Sequence, residues 1–453
     1  MQSSSRSTQP NLQSFASLRK AFAQGEDSPT DFLRRCLEII DRRDAEVMAF
    51  VALDRKAAQQ AAAESTARWQ AGAPLSPIDG MPIGIKDIIE TAGMPTGQGS
   101  ERFAGTRTGR DAAAVLALRE AGAVILGKTV TTEFAATYPA ATRNPCDLTR
   151  TPGGSSSGSA ASVSAGMLPA ALGTQVVGSI IRPASYCGVY GYKPSLGGLN
   201  RGGSYDGLSQ SCMGVLGASL EDVRDVAAGI AERVGGDPGY AGVDLPPLAA
   251  IRPRTLAVLE LAGYEQADMA AREAFDVLRG RLQAMGVTLV DRRAHAGLEQ
   301  LEQALARSFD ESRRLITWES LWPMREYARA PEPKLSSHTL ARVAEGRNMT
   351  VADYRAALQH RESVRALADR VLAGFDGAIS LATPGAAPVG FDTTGNPVQN
   401  VPASYLGTPA VTLPLMQIHG LPLGLQVMDR LNNDAALLGL AKWLVMSASG
   451  ISI

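Results

Sequence analysis

Between Thr151 and Ser195 the chain reads TPGGSSSGSAASVSAGMLPAALGTQVVGSIIRPASYCGVYGYKPS, and no other stretch limits its fold as sharply. Glycine and serine fill this stretch, yet it carries apolar segments such as Met167 to Leu172, so its composition is not that of a disordered linker. Packed backbone this rich in glycine is backbone that adopts positive φ or lets something approach closely, which is what a loop-built active site requires.

The flanking chain has enough apolar material to surround such a site: 453 residues, 45% of them hydrophobic. Forty-four basic residues against forty-five acidic ones leave a net charge of -1. That balance carries no electrostatic footprint for nucleic acid or an anionic membrane, so the expected partner is a small molecule without much charge. Cys36, Cys146, Cys187 and Cys212 are widely spaced and form no CxxC pair, which predicts reduced, buried thiols in a cytoplasmic enzyme and neither a disulfide framework nor a zinc site. Met1 to Gln13 is polar and serine-rich, lacks the apolar core of a signal peptide, and is expected to be disordered. No apolar run approaches the ~20 residues of a membrane span.

Periodicity and, for Arg55 to Gln70, alanine content predict helices over Phe15 to Ala23, Pro29 to Asp41, Arg55 to Gln70 and Asp111 to Ala121, with strands at Ile83 to Ile89 and Ala123 to Leu126. Ser219 with Asp222 forms a capping-box pattern opening a helix through Ile230. Thr255 to Leu259 and Thr288 to Val290 read as strands around a helix at Met269 to Met285, and Leu298 to Leu372 is mostly helical. Strands at Gly377 to Leu381, Ala410 to Leu415 and Gly424 to Met428, then a helix from Asn433 to Met446, complete an α/β alternation.

Two further segments mark the central stretch as part of a larger pattern. Gly80-Met81-Pro82-Ile83-Gly84-Ile85-Lys86-Asp87 lies upstream, and within the stretch Gly153-Gly154-Ser155-Ser156-Ser157-Gly158-Ser159, Gly178-Ser179-Ile180 and Cys187-Gly188-Val189-Tyr190-Gly191-Tyr192-Lys193-Pro194 follow in order. On these blocks the chain resembles the amidase signature family, from about Asp31 to Gly424-Leu425-Gln426. The resemblance implies a three-layer α/β/α fold around a mixed sheet, as one domain over residues 14–453 with a largely helical segment at about 264–374.

It also implies a Ser-Ser-Lys constellation, with Ser179 as nucleophile, Ser155, preceded by a cis peptide, as the bridging serine, and Lys86 as general base. A serine hydroxyl is a poor nucleophile until a neighbour accepts its proton, and a lysine accepts one only where burial drives it toward the neutral form. Ile83, Ile85, Ile88 and Ile89 supply apolar surroundings for that. Backbone amides of Val176, Val177 and Gly178 are expected to form the oxyanion hole. Here the chain departs from the family's Asp-x-Gly-Gly-Ser-Ile-Arg: it has Gln175-Val176-Val177-Gly178-Ser179-Ile180-Ile181 and then Arg182. Valine at 177 suits the role only if its φ is negative, and Val176-Val177 reads as a strand running into the site.

Rival motifs are weaker. Gly122 to Thr129 satisfies G-x-x-x-x-G-K-[ST], but its middle is four apolar residues, a strand and not a phosphate cradle. Gly154 to Gly158 satisfies G-x-S-x-G, but no apolar strand precedes it and the four histidines lie outside the matching blocks.

The expected activity is therefore C–N bond cleavage in small neutral, apolar or aryl amides or carbamates, with esters as further substrates, through an acyl-enzyme on Ser179 and without cofactor or metal. Met94, Tyr138, Arg201, Tyr205 and Gln399 are the candidate substrate contacts. A stand-alone enzyme, or a homodimer of it, is the leading expectation. The alternatives are the A subunit of a tRNA-dependent amidotransferase and an inactive binding homologue.

Overall fold

The structure is a computed structural model, and it describes residues 9–448 and 450–452. Its strands are β1 (Phe50–Leu53), β2 (Pro82–Lys86), β3 (Val124–Thr129), β4 (Ala170–Gln175), β5 (Tyr190–Lys193), β6 (Cys212–Gly217), β7 (Thr255–Val258), β8 (Thr288–Val290), β9 (Ala378–Leu381), β10 (Ala410–Ile418), β11 (Leu421–Met428) and β12 (Ile451–Ser452). They form one mixed sheet in the order β1-β3-β2-β4-β6-β5-β10-β11-β9-β7-β8, with β12 beside β10.

Alternate residues of the central strands enter different cores. Ile83, Ile85, Ile125, Ala170 and Leu172 join one apolar cluster, while Val124, Leu126 and Ala171 join another. Toward the far end of the sheet, Val411, Leu413 and Leu425 continue the first cluster and Ala410 and Met428 enter a third. The sheet is thus covered on both faces, which gives the three α/β/α layers and explains why β2, β3, β4 and β6 are buried along their whole length.

Apart from Val163, the Ser157–Ser164 helix is built of glycine, alanine and serine, and it is fully buried. Its composition follows from closeness: a Cβ on Gly158 would lie 2.3 Å from both Ala49 O and Val130 N. Between β7 and β9 the chain forms β8 and the helices Met269–Ala284, Ala296–Leu305, Ser308–Tyr327, Ser337–Gly346 and Val351–Leu372.

Sequence expectation and structure differ in places. Residues 1–8 of the stretch expected to be disordered lie outside the described residues. Beyond them the chain lies along the protein, where the Asn11 N–H donates to Ser164 O (2.8 Å). The strand expected to run through Val176 and Val177 stops at Gln175, and both valines sit in a bend. Strands β4, β5 and β6 are absent from the periodicity reading: sequences such as AALGTQ and YGYK are too rich in glycine and alanine to show a strand pattern. All four cysteines are buried and free. No described helix is long and apolar enough to cross a membrane.

Candidate active site

Strand β2 runs parallel to both β3 and β4, with Lys86 level with Thr129 and Ile85 level with Leu172. The ends of these strands bring Lys86 to Thr174 near the end of β4. The Lys86 ammonium is fully buried and donates to Ser155 Oγ (2.8 Å) and Thr174 Oγ1 (2.8 Å), with Thr174 O at 3.4 Å. Removal from water lowers its pKa to about 7, an effect opposed by the negative charge of Asp206. Asp206 is itself held by the hydroxyls of Ser204 and Ser211, each at 2.7 Å.

Ser155 follows a cis Gly154–Ser155 peptide, and its carbonyl accepts from Thr132 N–H (3.2 Å). The preceding carbonyl, Gly154 O, is held by Arg182 Nη2 (2.7 Å), which also donates to Thr394 Oγ1 (3.0 Å). Among the described residues no carboxylate partners Arg182, and burial, opposed by Tyr186, lowers its pKa to about 10.

Ser179 begins the turn into the Ile181–Cys187 helix. It is 8% exposed, and its hydroxyl forms no hydrogen bond among the described residues, so no bond joins it to Ser155 in this conformation. The amides of Val176, Val177 and Gly178 likewise donate to no acceptor among those residues. Val177 is not among the residues of positive φ. Gly178 must be glycine because a Cβ there would lie 2.8 Å from Asn400 Oδ1 and 3.0 Å from Asn400 Cβ. Gln175, where the family pattern has aspartate, accepts from Ile180 N–H (2.9 Å) and Ile181 N–H (3.0 Å).

The five residues expected to line the substrate pocket are dispersed in character. Met94 is buried in the apolar core. Tyr138 and Tyr205 are 46% and 49% exposed, Tyr138 edge-on to His338 and Tyr205 donating to Glu90. Arg201 is engaged by Asp237 (2.6 Å) and Leu208 O (3.1 Å). Gln399 is fully buried, and both its amide oxygen and its amide nitrogen are without partners among the described residues.

Sequence reasoning missed Thr174, Gln210, Thr394 and Ser404, which bond Lys86, Val176, Arg182 and Val177 respectively. Of these, Thr174 carried a signal in its position inside the glycine- and serine-rich stretch. The phosphate-loop pattern at Gly122 to Thr129 is strand β3, and its Lys128 is fully buried. Among the described residues no group of three or more His, Cys, Asp or Glu is placed to hold a metal ion.

Comparison with known proteins agrees with this geometry. The A chain of glutamyl-tRNA(Gln) amidotransferase from Chloroflexus aggregans, one subunit of that enzyme, is 33% identical over 467 residues, covering 92% of this chain and 93% of that protein. A crystal structure of an amidase superposes with a TM-score of 0.84 at 26% identity, covering 96% of this chain and all of the other. The native peptide amidase of Stenotrophomonas maltophilia superposes with a TM-score of 0.77 at 25% identity, with 97% of each chain covered.

The first of these relatives overturns the expectation of no nucleic-acid partner. It is named as one subunit of an enzyme whose name includes a tRNA. A net charge of -1 sums over the whole surface, and such a sum carries no information about the partners of one member of a complex. The amidase family model matches residues 31–438, and the chain belongs to that family, the amidase signature enzymes, which act on amide C–N bonds.

Proposed function

We propose that the chain hydrolyses a carboxamide through an acyl-enzyme on Ser179, and that it does so as the A subunit of a glutamyl-tRNA(Gln)-type amidotransferase. The observation that carries the chemistry is the contact between a fully buried Lys86, its pKa lowered to about 7, and Ser155 Oγ at 2.8 Å. The relatives at 31–33% identity over more than nine-tenths of the chain support the subunit role.

Neutral Lys86 takes the proton of Ser155 as Ser155 takes that of Ser179, and Ser179 Oγ forms a bond to the carbonyl carbon. This step requires Ser179 Oγ to reach Ser155 Oγ, a contact absent from the conformation described. The unengaged amides of Val176, Val177 and Gly178 receive the charge that develops on the carbonyl oxygen. The proton held on Lys86 returns through Ser155 to the leaving nitrogen as the C–N bond breaks, and ammonia departs. Water then attacks the acyl group by the same route. Gln399, buried with both amide atoms open, is the polar contact we assign to the substrate; Arg201 is already occupied by Asp237.

A second reading, a stand-alone amidase acting on small neutral, aryl or carbamate substrates in the cytoplasm, is favoured by the amidase structure that this chain matches along that protein's entire length. Ammonia release from glutamine, measured beside hydrolysis of 4-nitroacetanilide and a 4-nitrophenyl carbamate, separates the two. Turnover of glutamine supports the subunit reading. Turnover of the aryl substrates without glutamine supports the stand-alone enzyme, and turnover of neither contradicts both.

A further inference from the structure

Among the described residues the peptides between Val176 and Ser179 are free on their N–H side but not on their C=O side. Gln210 Nε2 donates to Val176 O (2.8 Å), Ser404 Oγ donates to Val177 O (2.9 Å), and the helical amide of Arg182 donates to Gly178 O (2.9 Å). In a planar trans peptide the carbonyl of one residue and the N–H of the next point in opposite directions. Holding Val176 O on Gln210 therefore aims the Val177 N–H away from Gln210, and holding Val177 O on Ser404 aims the Gly178 N–H away from Ser404. A rotation of either peptide would break its side-chain bond and present a carbonyl oxygen where a donor is needed.

Both holders are braced. Ser404 Oγ accepts from Gln175 Nε2 (3.0 Å), so its own proton is committed to Val177 O. The other end of Gln175 holds the amides of Ile180 and Ile181 just beyond the nucleophile. Gln210 is fully buried and follows Ser209, whose N–H donates to Glu319 (2.8 Å) and whose hydroxyl accepts from Arg361 (2.7 Å). Glu319 also accepts from Tyr354 (3.0 Å). The position of Gln210 is thus set by the Ser308–Tyr327 and Val351–Leu372 helices. Its amide oxygen is buried without a partner among the described residues, so the bond holding this side chain in register is the one to Val176.

We infer that Ser404 and Gln210 are positioning residues for the oxyanion hole: they fix two consecutive peptides so that the Val177 and Gly178 amides stay turned toward the carbonyl oxygen of an acyl group on Ser179. This rests on the proposed role of Ser179. It also accounts for a valine at 177, because two side-chain anchors set the loop conformation without any residue of positive φ.

The test uses the full chain, a fluorophosphonate that phosphonylates serine nucleophiles, and 4-nitrophenyl butyrate as a chromogenic acyl donor. Removing one oxyanion donor costs roughly 100- to 1,000-fold in kcat, and loosening one should cost less, about 10- to 100-fold. We expect Ser404→Ala and Gln210→Leu each to slow both Ser179 phosphonylation and kcat per labelled site by that factor, with KM within about threefold of the parent. The midpoint of the pH profile should stay where it was, since Lys86 is untouched. Ser404→Thr, which keeps the hydroxyl, should recover most of the rate. Parental rates per labelled site in both Ser404→Ala and Gln210→Leu overturn the positioning role while leaving Ser179 as nucleophile. Absence of any Ser179 adduct in the parent protein overturns the nucleophile and the positioning role together.

Discussion

Lys86 and Lys128 lie one residue out of register on adjacent parallel strands, Lys86 level with Thr129 and Lys128 level with Ile85, so they leave the sheet on opposite faces. Both are fully buried, and burial lowers both pKa values, to about 7 for Lys86 and about 8 for Lys128. Their partners distinguish them. Lys128 donates to Ile89 O and Thr96 Oγ1 and sits 3.8 Å from Asp87, a set that fixes a loop. Among the described residues Lys86 hydrogen-bonds to hydroxyls and a carbonyl and forms no ion pair, and one of the hydroxyls belongs to Ser155.

This contrast predicts a pH profile. With Lys86 as base, kcat/KM rises with pH through about 7 and levels off above it, because the neutral amine is the active form. Lys128→Met should leave that midpoint in place while lowering the melting temperature, since Ile89 O loses its donor and Asp87 its counter-charge. A midpoint that moves by a full pH unit in Lys128→Met would assign the titration to the wrong lysine.

Stability should respond to the same shift. Between about 7 and the ordinary lysine value of 10.5 the folded chain binds fewer protons at Lys86 than the unfolded chain, so this group weakens folding progressively as pH falls through that window and adds no further change below about 7. Lys86→Met removes the titrating group. Its melting temperature relative to the parent should therefore be higher at pH 7 than at pH 10, while its activity falls by a factor of about a thousand or more. Calorimetric scans at the two pH values check this, and an equal or reversed difference would contradict a strongly shifted Lys86.

Val177→Gly addresses the residue where the chain departs from its family. Because Val177 is not at positive φ and packs partly against the third apolar cluster, glycine relieves nothing there and adds freedom to the unfolded chain. The expected outcome is a loss of about 1–2 kcal/mol in stability and a modest loss of kcat. Denaturant titration together with turnover measures both, and a gain in both would show that the valine strains this loop.

The meeting of Lys86 with Ser155 was legible because both fall in contiguous blocks with recognisable neighbours. Helices with clear apolar periodicity, such as Pro29–Val47 and Met269–Ala284, were legible for the same local reason. What holds the site was not. Gln210, Thr394 and Ser404 lie 31, 215 and 225 residues after Ser179 in sequence and reach the site only through the pairing of β4 with β6 and the placement of the Val401–Leu406 helix. Whole-chain charge misled for a related reason: it is a sum, and partner choice depends on where charge sits and on which chains share the surface.

The central claim is that Ser179 is the nucleophile and buried Lys86 its base. Its most direct measurement is peptide mapping by mass spectrometry of the fluorophosphonate adduct, with labelling rates followed against pH in the parent chain and in Lys86→Met. The account predicts an adduct on Ser179 alone, forming at a rate that rises through about pH 7 and is at least a thousandfold slower in Lys86→Met. An adduct on a different residue, or labelling of Lys86→Met at the parental rate, would contradict it.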